Sequence, residues 1–582
     1  FSRYMNRFCL SLLVLMTFAG LAHARQDVIL PDLVPREIEI TGNLSIIFPN
    51  LRRQPIVGFN PPPRVPDISP DRRPFTEAYK QPSADLPPSP LVAPEPPDVA
   101  AISRRLPLSG VIDVSAGRYL DRSVSADVTL LSSEKTTALL RGRYFGTDGH
   151  DVTVGGQSVN SGRNIFDGSL ELERRAGPVT IGVSGSAFSR SYRLFGATPT
   201  PGVLSKISPK RRFSGFDGTL SLNSSPGSRV TLRSSVTAGR SHMDTQVFDP
   251  ALRIDPSTDS DEGFINVAAL LSIPVRDGSI DISGHGTSSG LDENSFPGTT
   301  VKSGLVQVAL RYLYSSKMEL LIGGAVLGFS SEPQGASPQS RSLSYFAPVL
   351  RATYFLSSSV QLDAGTSPNL DGSLMKDVMM LSPFLMDEPS LLPSLTSIDA
   401  NVGIRVQTEL FSASARAGWR DRPYFRYPVQ SDVSVRGYLA GYSALGYAAT
   451  DEYYATGDIS VIFSPGIQAG VDFTTRNASV SSTNMDVPYL SPLIIGGFVV
   501  AGMMDGDLEM RLRVEHEASR TMDIGATNKV PAMTNVHLSG SYFFHDNYGF
   551  TAGIRNLGSG PKFWDAYEFE SNAFYLGARY RW

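Results

Sequence analysis

Four charges stand at every second position of one ten-residue stretch: Glu509, Arg511, Arg513 and Glu515 alternate with Leu508, Met510, Leu512 and Val514. Arg405 and Arg416 hold polar positions in two similar stretches, 398–407 and 411–420. Guanidinium and carboxylate groups so arranged break no bonds by themselves. They hold water, select charge or clamp another segment, because a charge in such a place needs water or a partner. A second set lies within 374–395, where Met375, Met379, Met380, Phe384 and Met386 are interspersed with apolar residues. Leu374, Val378, Leu381 and Leu385 recur there at helical spacing, so a short amphipathic helix is expected, interrupted at Pro383. Thioether side chains adapt to irregular surfaces. This suits a lid or a partner-binding loop, and equally suits packing against neighbouring loops. Enzymatic chemistry finds no support. The seven histidines are dispersed, and His150-Asp151 and His516-Glu517 lack metal-ligand spacing. No serine sits in a nucleophile elbow, and neither metal nor cofactor is expected.

Period-two alternation is what places these residues. Ile398, Ala400, Val402, Ile404 and Val406 share one face, with Asp399, Asn401, Gly403, Arg405 and Gln407 on the other. Phe411 to Arg420 and Val306 to Tyr314 repeat the pattern, which is that of a β-strand with one apolar and one wet face. Short polar turns fall at 132–135, 175–178, 224–228, 276–279, 315–317, 357–359, 408–410, 464–466, 505–507 and 545–549. Longer connections fall between them, at 146–163, 192–212, 242–262, 367–396, 477–491 and 517–531. Alternating short and long connections belong to a membrane barrel with tight turns on one side and long loops on the other. The reading is therefore all-β: a large antiparallel transmembrane β-barrel over 108–582 of about 22 strands, within a range of roughly 16 to 22.

The ends agree. Arg3 and Arg7, the apolar run Leu10 to Ala19, and Ala22-His23-Ala24 read as a signal peptide over 1–24. The single cysteine, Cys9, lies before that apolar run, so the mature chain has no thiol or disulfide. Residues 25–107 form a proline-rich segment; 18 of the 41 prolines lie within 27–107. Proline fixes φ and removes a donor, so this segment is expected to be extended, and to sit in the periplasm or in the barrel lumen. The net charge of −4 and the scattered basic residues give no support for a nucleic-acid partner.

At the other end, Phe574, Leu576, Ala578, Tyr580 and Trp582 share a face. An aromatic residue closing such a strand resembles the signal read by the barrel-assembly machinery, carried here by Phe574, Tyr580 and Trp582. Phe550-Thr551-Ala552-Gly553-Ile554-Arg555-Asn556-Leu557, Phe563-Trp564-Asp565-Ala566-Tyr567 and Tyr575 to Trp582 together resemble the closing pattern of TonB-dependent receptors. That resemblance implies an outer-membrane transport protein passing or importing a solute, in contact with outer-membrane lipid and lipopolysaccharide. It also implies an N-terminal plug of more than about 100 residues inside the barrel. Only about 80 residues precede the first strand here, and they show no plug motif. Three readings follow: a transport barrel, a barrel component of an envelope or secretion complex whose 27–107 segment grips a periplasmic partner, and a secreted β-repeat protein.

Overall fold

In a lipid environment each backbone N–H and C=O must find a partner within the protein, and a sheet achieves this only by closing on itself. The computed structural model shows that closure. It describes residues 109–582 except for 134, 155–156, 195–209, 225–229, 249–253, 294–295, 316, 334–340, 382–383, 386–390, 431–442, 523, 526–528, 559–561, 565–566 and 569. The expectations for the signal peptide, the proline-rich segment and any plug fall on residues outside that set.

Twenty-two antiparallel strands form one closed barrel. They are β1 Gly110–Gly117, β2 Arg122–Ser132, β3 Thr136–Thr147, β4 Arg163–Ala176, β5 Val179–Arg193, β6 Lys210–Ser224, β7 Thr231–Phe248 and β8 Ile254–Val275. Next come β9 Gly278–Glu293, β10 Phe296–Ser315, β11 Met318–Pro333, β12 Arg341–Phe355, β13 Val360–Leu370, β14 Leu395–Gln407 and β15 Phe411–Gln430. The wall ends with β16 Ser443–Ser464, β17 Ile467–Val480, β18 Leu493–Met503, β19 Leu508–Glu517, β20 Met533–Phe543, β21 Tyr548–Gly558 and β22 Ala573–Arg581. Each strand pairs with its neighbours in sequence, and β1 pairs with β22 to shut the ring. One helix, α1 Met375–Leu381, lies between β13 and β14. No helix among the described residues is long and apolar enough to cross a membrane.

All ten expected turns connect strands at one end, with two to six residues each. The opposite end carries the longer connections, together with short ones at 118–121 and 294–295, and with a correction. The connection expected over 242–262 is mostly a paired ladder, in which His242 lies opposite Asp261 and only 249–253 separate the strands. The reason is length. β8 and β16 have 22 residues each, whereas about 9–11 suffice to cross a bilayer. The excess projects beyond the apolar zone, where an outward face need not be apolar and the alternation fades.

The two faces are chemically distinct. Phe216, Phe346 and Leu576 point outward with 62%, 76% and 72% of their surface exposed. Val308, Leu310, Val402, Ile404, Met510 and Leu512 are likewise exposed on the outside. An apolar surface this broad is what lipid covers. The inner face is polar, and its charges pair along the wall. Arg311 Nε lies 2.9 Å from Asp281 and its Nη1 3.1 Å from Glu319.

At the seam the chain ends are hydrogen-bonded: Gly110 donates to Trp582 O at 3.2 Å, and Trp582 donates back to Gly110 O at 3.1 Å. Arg579 Nε meets Asp113 at 2.6 Å across the same junction. Phe574, Tyr580 and Trp582 all face outward, and the Tyr580 ring lies 5.0 Å from Tyr548 and 5.4 Å from Trp582.

Gly577 sits opposite Ser115, and a Cβ there would lie 2.3 Å from the Val114 carbonyl oxygen. Backbone cannot yield as a side chain does, so Gly577→Val should keep the seam from closing. The expected result is loss of the heat-modifiable band on gels. Gly142→Ala, where a Cβ meets nothing within 4 Å, should retain it.

Candidate functional site: an inward-packed loop on a charged wall

The segment 371–394 begins and ends on adjacent strands, β13 and β14, yet its largest buried cluster lies on a distant part of the wall. Met375, Val378, Met379, Leu385 and Leu391 form one buried cluster with Phe188 of β5, Phe213 of β6, Met243 of β7 and Leu291 of β9. These wall residues belong to the inner face. Phe213 is buried while its neighbour in the outward series, Phe216, is exposed. The helix is thus held against the inside of the barrel across from its own strands. Val378 is fully buried and Met375 is 1% exposed.

Polar contacts fasten the same segment. The Met375 N–H donates to Glu262 Oε2 of β8 at 2.9 Å, a carboxylate that also accepts from Ser241 at 3.2 Å. Lys376 Nζ lies 2.8 Å from Asp217 of β6, which Ser186 of β5 also contacts at 2.7 Å. Arg211 of β6, almost wholly buried, donates to the Leu385 carbonyl, to Thr245 Oγ1 at 3.0 Å and to the Met379 sulfur at 3.7 Å. At the returning end Arg426 of β15 donates to the carbonyls of Gly372 at 3.2 Å and Leu392 at 3.3 Å. The Leu392 N–H donates to Tyr447 of β16 at 3.1 Å. Burial raises the Asp377 carboxyl above its ordinary range, partly offset by the nearby Arg426 and Lys376.

Beside this segment lies a cavity of about 320 Å³. Arg141 and Arg143 of β3, Asp167 and Ser169 of β4, Ser186, Phe188 and Arg190 of β5, Phe213 and Lys376 all line it. The rings of Phe188 and Phe213 are 4.8 Å apart at 51°. Arg190 pairs with Asp167 at 3.1 Å, and Arg141 with Glu171 at 3.3 Å.

Of the residues singled out in the sequence, Met375, Met379 and Phe384 are buried. The side chain of Met380 and all of Met386 lie outside the described residues. The helix covers Met375–Leu381 and stops ahead of Pro383. The six charges picked from alternation sit on the inner wall far along the ring. Glu509 contacts Arg579 at 3.5 Å and Ser541 at 3.4 Å. Arg513 lies 3.4 Å from Glu515 and 3.9 Å from Asp472, and Arg511 is buried. Arg405 stands opposite Ser414, and Arg416 opposite Gly403. Among the described residues neither group belongs to the cluster around α1. Arg211, Asp217, Glu262, Phe188 and Phe213 were not singled out, because each looks like one more residue of an ordinary strand. The charges at 210–212 on the loop side of β6 were the only available signal.

No protein-family model and no curated protein matches the sequence. Solved structures do match in fold. The structure titled "Copper transporter OprC" has a TM-score of 0.60 at 12% identity, covering 82% of this chain and 80% of its own. The FrpB iron transporter from Neisseria meningitidis (F5-1 variant) has 0.63 at 9%, covering 83% and 84%. The siderophore receptor PiuA from Acinetobacter baumannii has 0.58 at 10%, covering 83% and 82%. At these identities the likeness is one of fold.

Hydrogen bonds from a charged donor contribute about 1.5–3 kcal/mol each, and a buried carbonyl left without its donor carries a further penalty. Arg211→Met should therefore loosen the loop while the wall persists. Hydrogen exchange of the Val378 amide, which bonds to Leu374 O at 3.1 Å, should speed up by about tenfold or more. Strand amides in β19 and β20 should not change.

Proposed function

We propose that this chain is an outer-membrane transport barrel, similar in its wall to TonB-dependent receptors, and that 371–394 is a lid over its lumen. The observation that carries the reading is the reach of that loop. It leaves β13 and returns to β14, but packs on the inner face of β5 to β9. A loop that only decorated a rim would rest on its own strands.

Several further features support the reading. The wall shares its fold with solved structures named as copper, iron and siderophore transporters or receptors. The exposed apolar exterior suits outer-membrane lipid and lipopolysaccharide, with the short turns in the periplasm and the long connections outside. A barrel of this strand number leaves a lumen that must be filled or gated. The polar inner wall, including Glu509, Arg511, Arg513, Glu515, Arg405 and Arg416, suits a water-filled path. On this reading 1–24 is a signal peptide removed on export. Phe574, Tyr580 and Trp582 are the contacts for the assembly machinery.

The test uses the full chain reconstituted in planar bilayers. Replacing 375–381 with a Gly-Ser segment should raise single-channel conductance several-fold, and Arg211→Met should increase the frequency of opening. Both variants must first show heat-modifiable migration, so that an altered barrel is not mistaken for an open one. Conductance identical to the parent in both would refute the lid and remove the main support for transport through this lumen.

A further inference from the structure

The lining of the cavity beside α1 carries more cations than carboxylates. Four cationic side chains line it, Arg141, Arg143, Arg190 and Lys376, against one carboxylate, Asp167. Other acids stand outside the lining and hold two of these cations in place: Asp127 and Glu171 beside Arg141, and Asp217 beside Lys376. Arginine keeps its charge at any relevant pH and presents a planar fork of donors suited to carboxylate and phosphate oxygens. Ser169 adds a hydroxyl that can donate to the same oxygens, whereas the Ser186 hydroxyl is given to Asp217.

The lining also includes an apolar patch. Phe188 and Phe213 line it with their tilted ring pair. Arg190 and Lys376 both lie over the Phe188 ring, at 6.0 and 5.8 Å from its centre. A volume of about 320 Å³ is at the small end of ligand sites. It excludes a bulky chelate, and it admits a single compact molecule with one charged end and one flat or apolar end.

We propose that this cavity is a binding site for a small oxyanion-bearing solute, whose carboxylate or phosphate sits among Arg143, Arg190 and Lys376 and whose apolar part rests on Phe188 and Phe213. This deepens the transport reading, on which it rests for its place in a solute path. Because Lys376 belongs to α1 while the other cations belong to the wall, a bound anion bridges the lid to the barrel. The occupant is therefore sensed by the element that closes the lumen.

Calorimetry on the detergent-solubilised full chain tests this directly, with sodium phosphate, sodium benzoate and glucose as probes. At least one anion should bind saturably and glucose should not. Phosphate without benzoate would assign the site to phosphate groups, and benzoate without phosphate to carboxylates with an apolar body. Arg143→Gln and Lys376→Gln should each weaken that binding by about tenfold, the size expected for one charge-assisted contact. Asp167→Asn should tighten it, since it removes the one carboxylate of the lining and releases Arg190. A merely structural ion pair would give no such opposite sign. Lys135→Gln, in a turn far from the cavity, should change nothing. Binding of neither anion, or weaker binding in Asp167→Asn, would overturn the proposal. Because calorimetry needs no membrane, absent binding with lid-dependent conductance intact sinks the anion site alone. Intact binding with no lid effect on conductance sinks the transport reading alone.

Discussion

The lateral closure of the sheet governs the rest of the molecule. Each strand must give its N–H and C=O groups to two neighbours, and the ring can shut only where the first and last strands meet. That seam is short. β1 has 8 residues and β22 has 9, and several contacts concentrate there: the Gly110–Trp582 backbone bonds, the Asp113–Arg579 pair and the close approach at Gly577. Small residues at the junction let the backbones approach, and the terminal aromatics continue outward onto Tyr548.

A ring of 22 strands then creates a second constraint. In a narrow barrel the inward side chains fill the space by meeting one another across the axis. Here many inward charges pair with a neighbour on the same wall. Arg311 with Asp281 and Glu319, Arg420 with Asp399 and Glu452, and Arg579 with Asp113 and Glu509 are all lateral arrangements. The segment around α1 uses both available languages. Its apolar cluster contributes burial, while Lys376, the Met375 amide and the Leu385 carbonyl use charges and donors that the wall already presents.

The strand architecture was readable because period-two alternation and turn placement are local properties. Leu508 to Glu517 declares its two faces without knowledge of any other segment, and all ten short turns are visible in the residues that form them. Where strands outgrow the apolar zone, as in 242–262, the outward face loses its apolar marker and the ladder resembles a loop. The helix in 371–394 was legible from Leu374, Val378 and Leu381, but its destination was not. Glu262 stands 113 residues from the amide it accepts, and Arg211 174 residues from the Leu385 carbonyl. Nothing local distinguishes Arg211 from Arg212, one of which is buried and the other exposed. Only the closure of the ring decides which arginine meets the lid.

That separation also explains why α1 and the cavity rest on the same strands. The wall at β5 and β6 carries inner residues of two kinds: Phe188, Phe213 and Arg211 contact the lid, while Ser186, Arg190 and Asp217 flank or line the cavity beside it. Strand pairing locks these residues in register, Phe188 opposite Gly215 and Arg190 opposite Phe213. A shift of the lid that disturbs Phe213 therefore acts on a ring that the cavity shares, and Lys376 cannot leave Asp217 without removing one of the four cations. Because side chains on a paired strand cannot slide independently, α1 and the cavity share the same few residues.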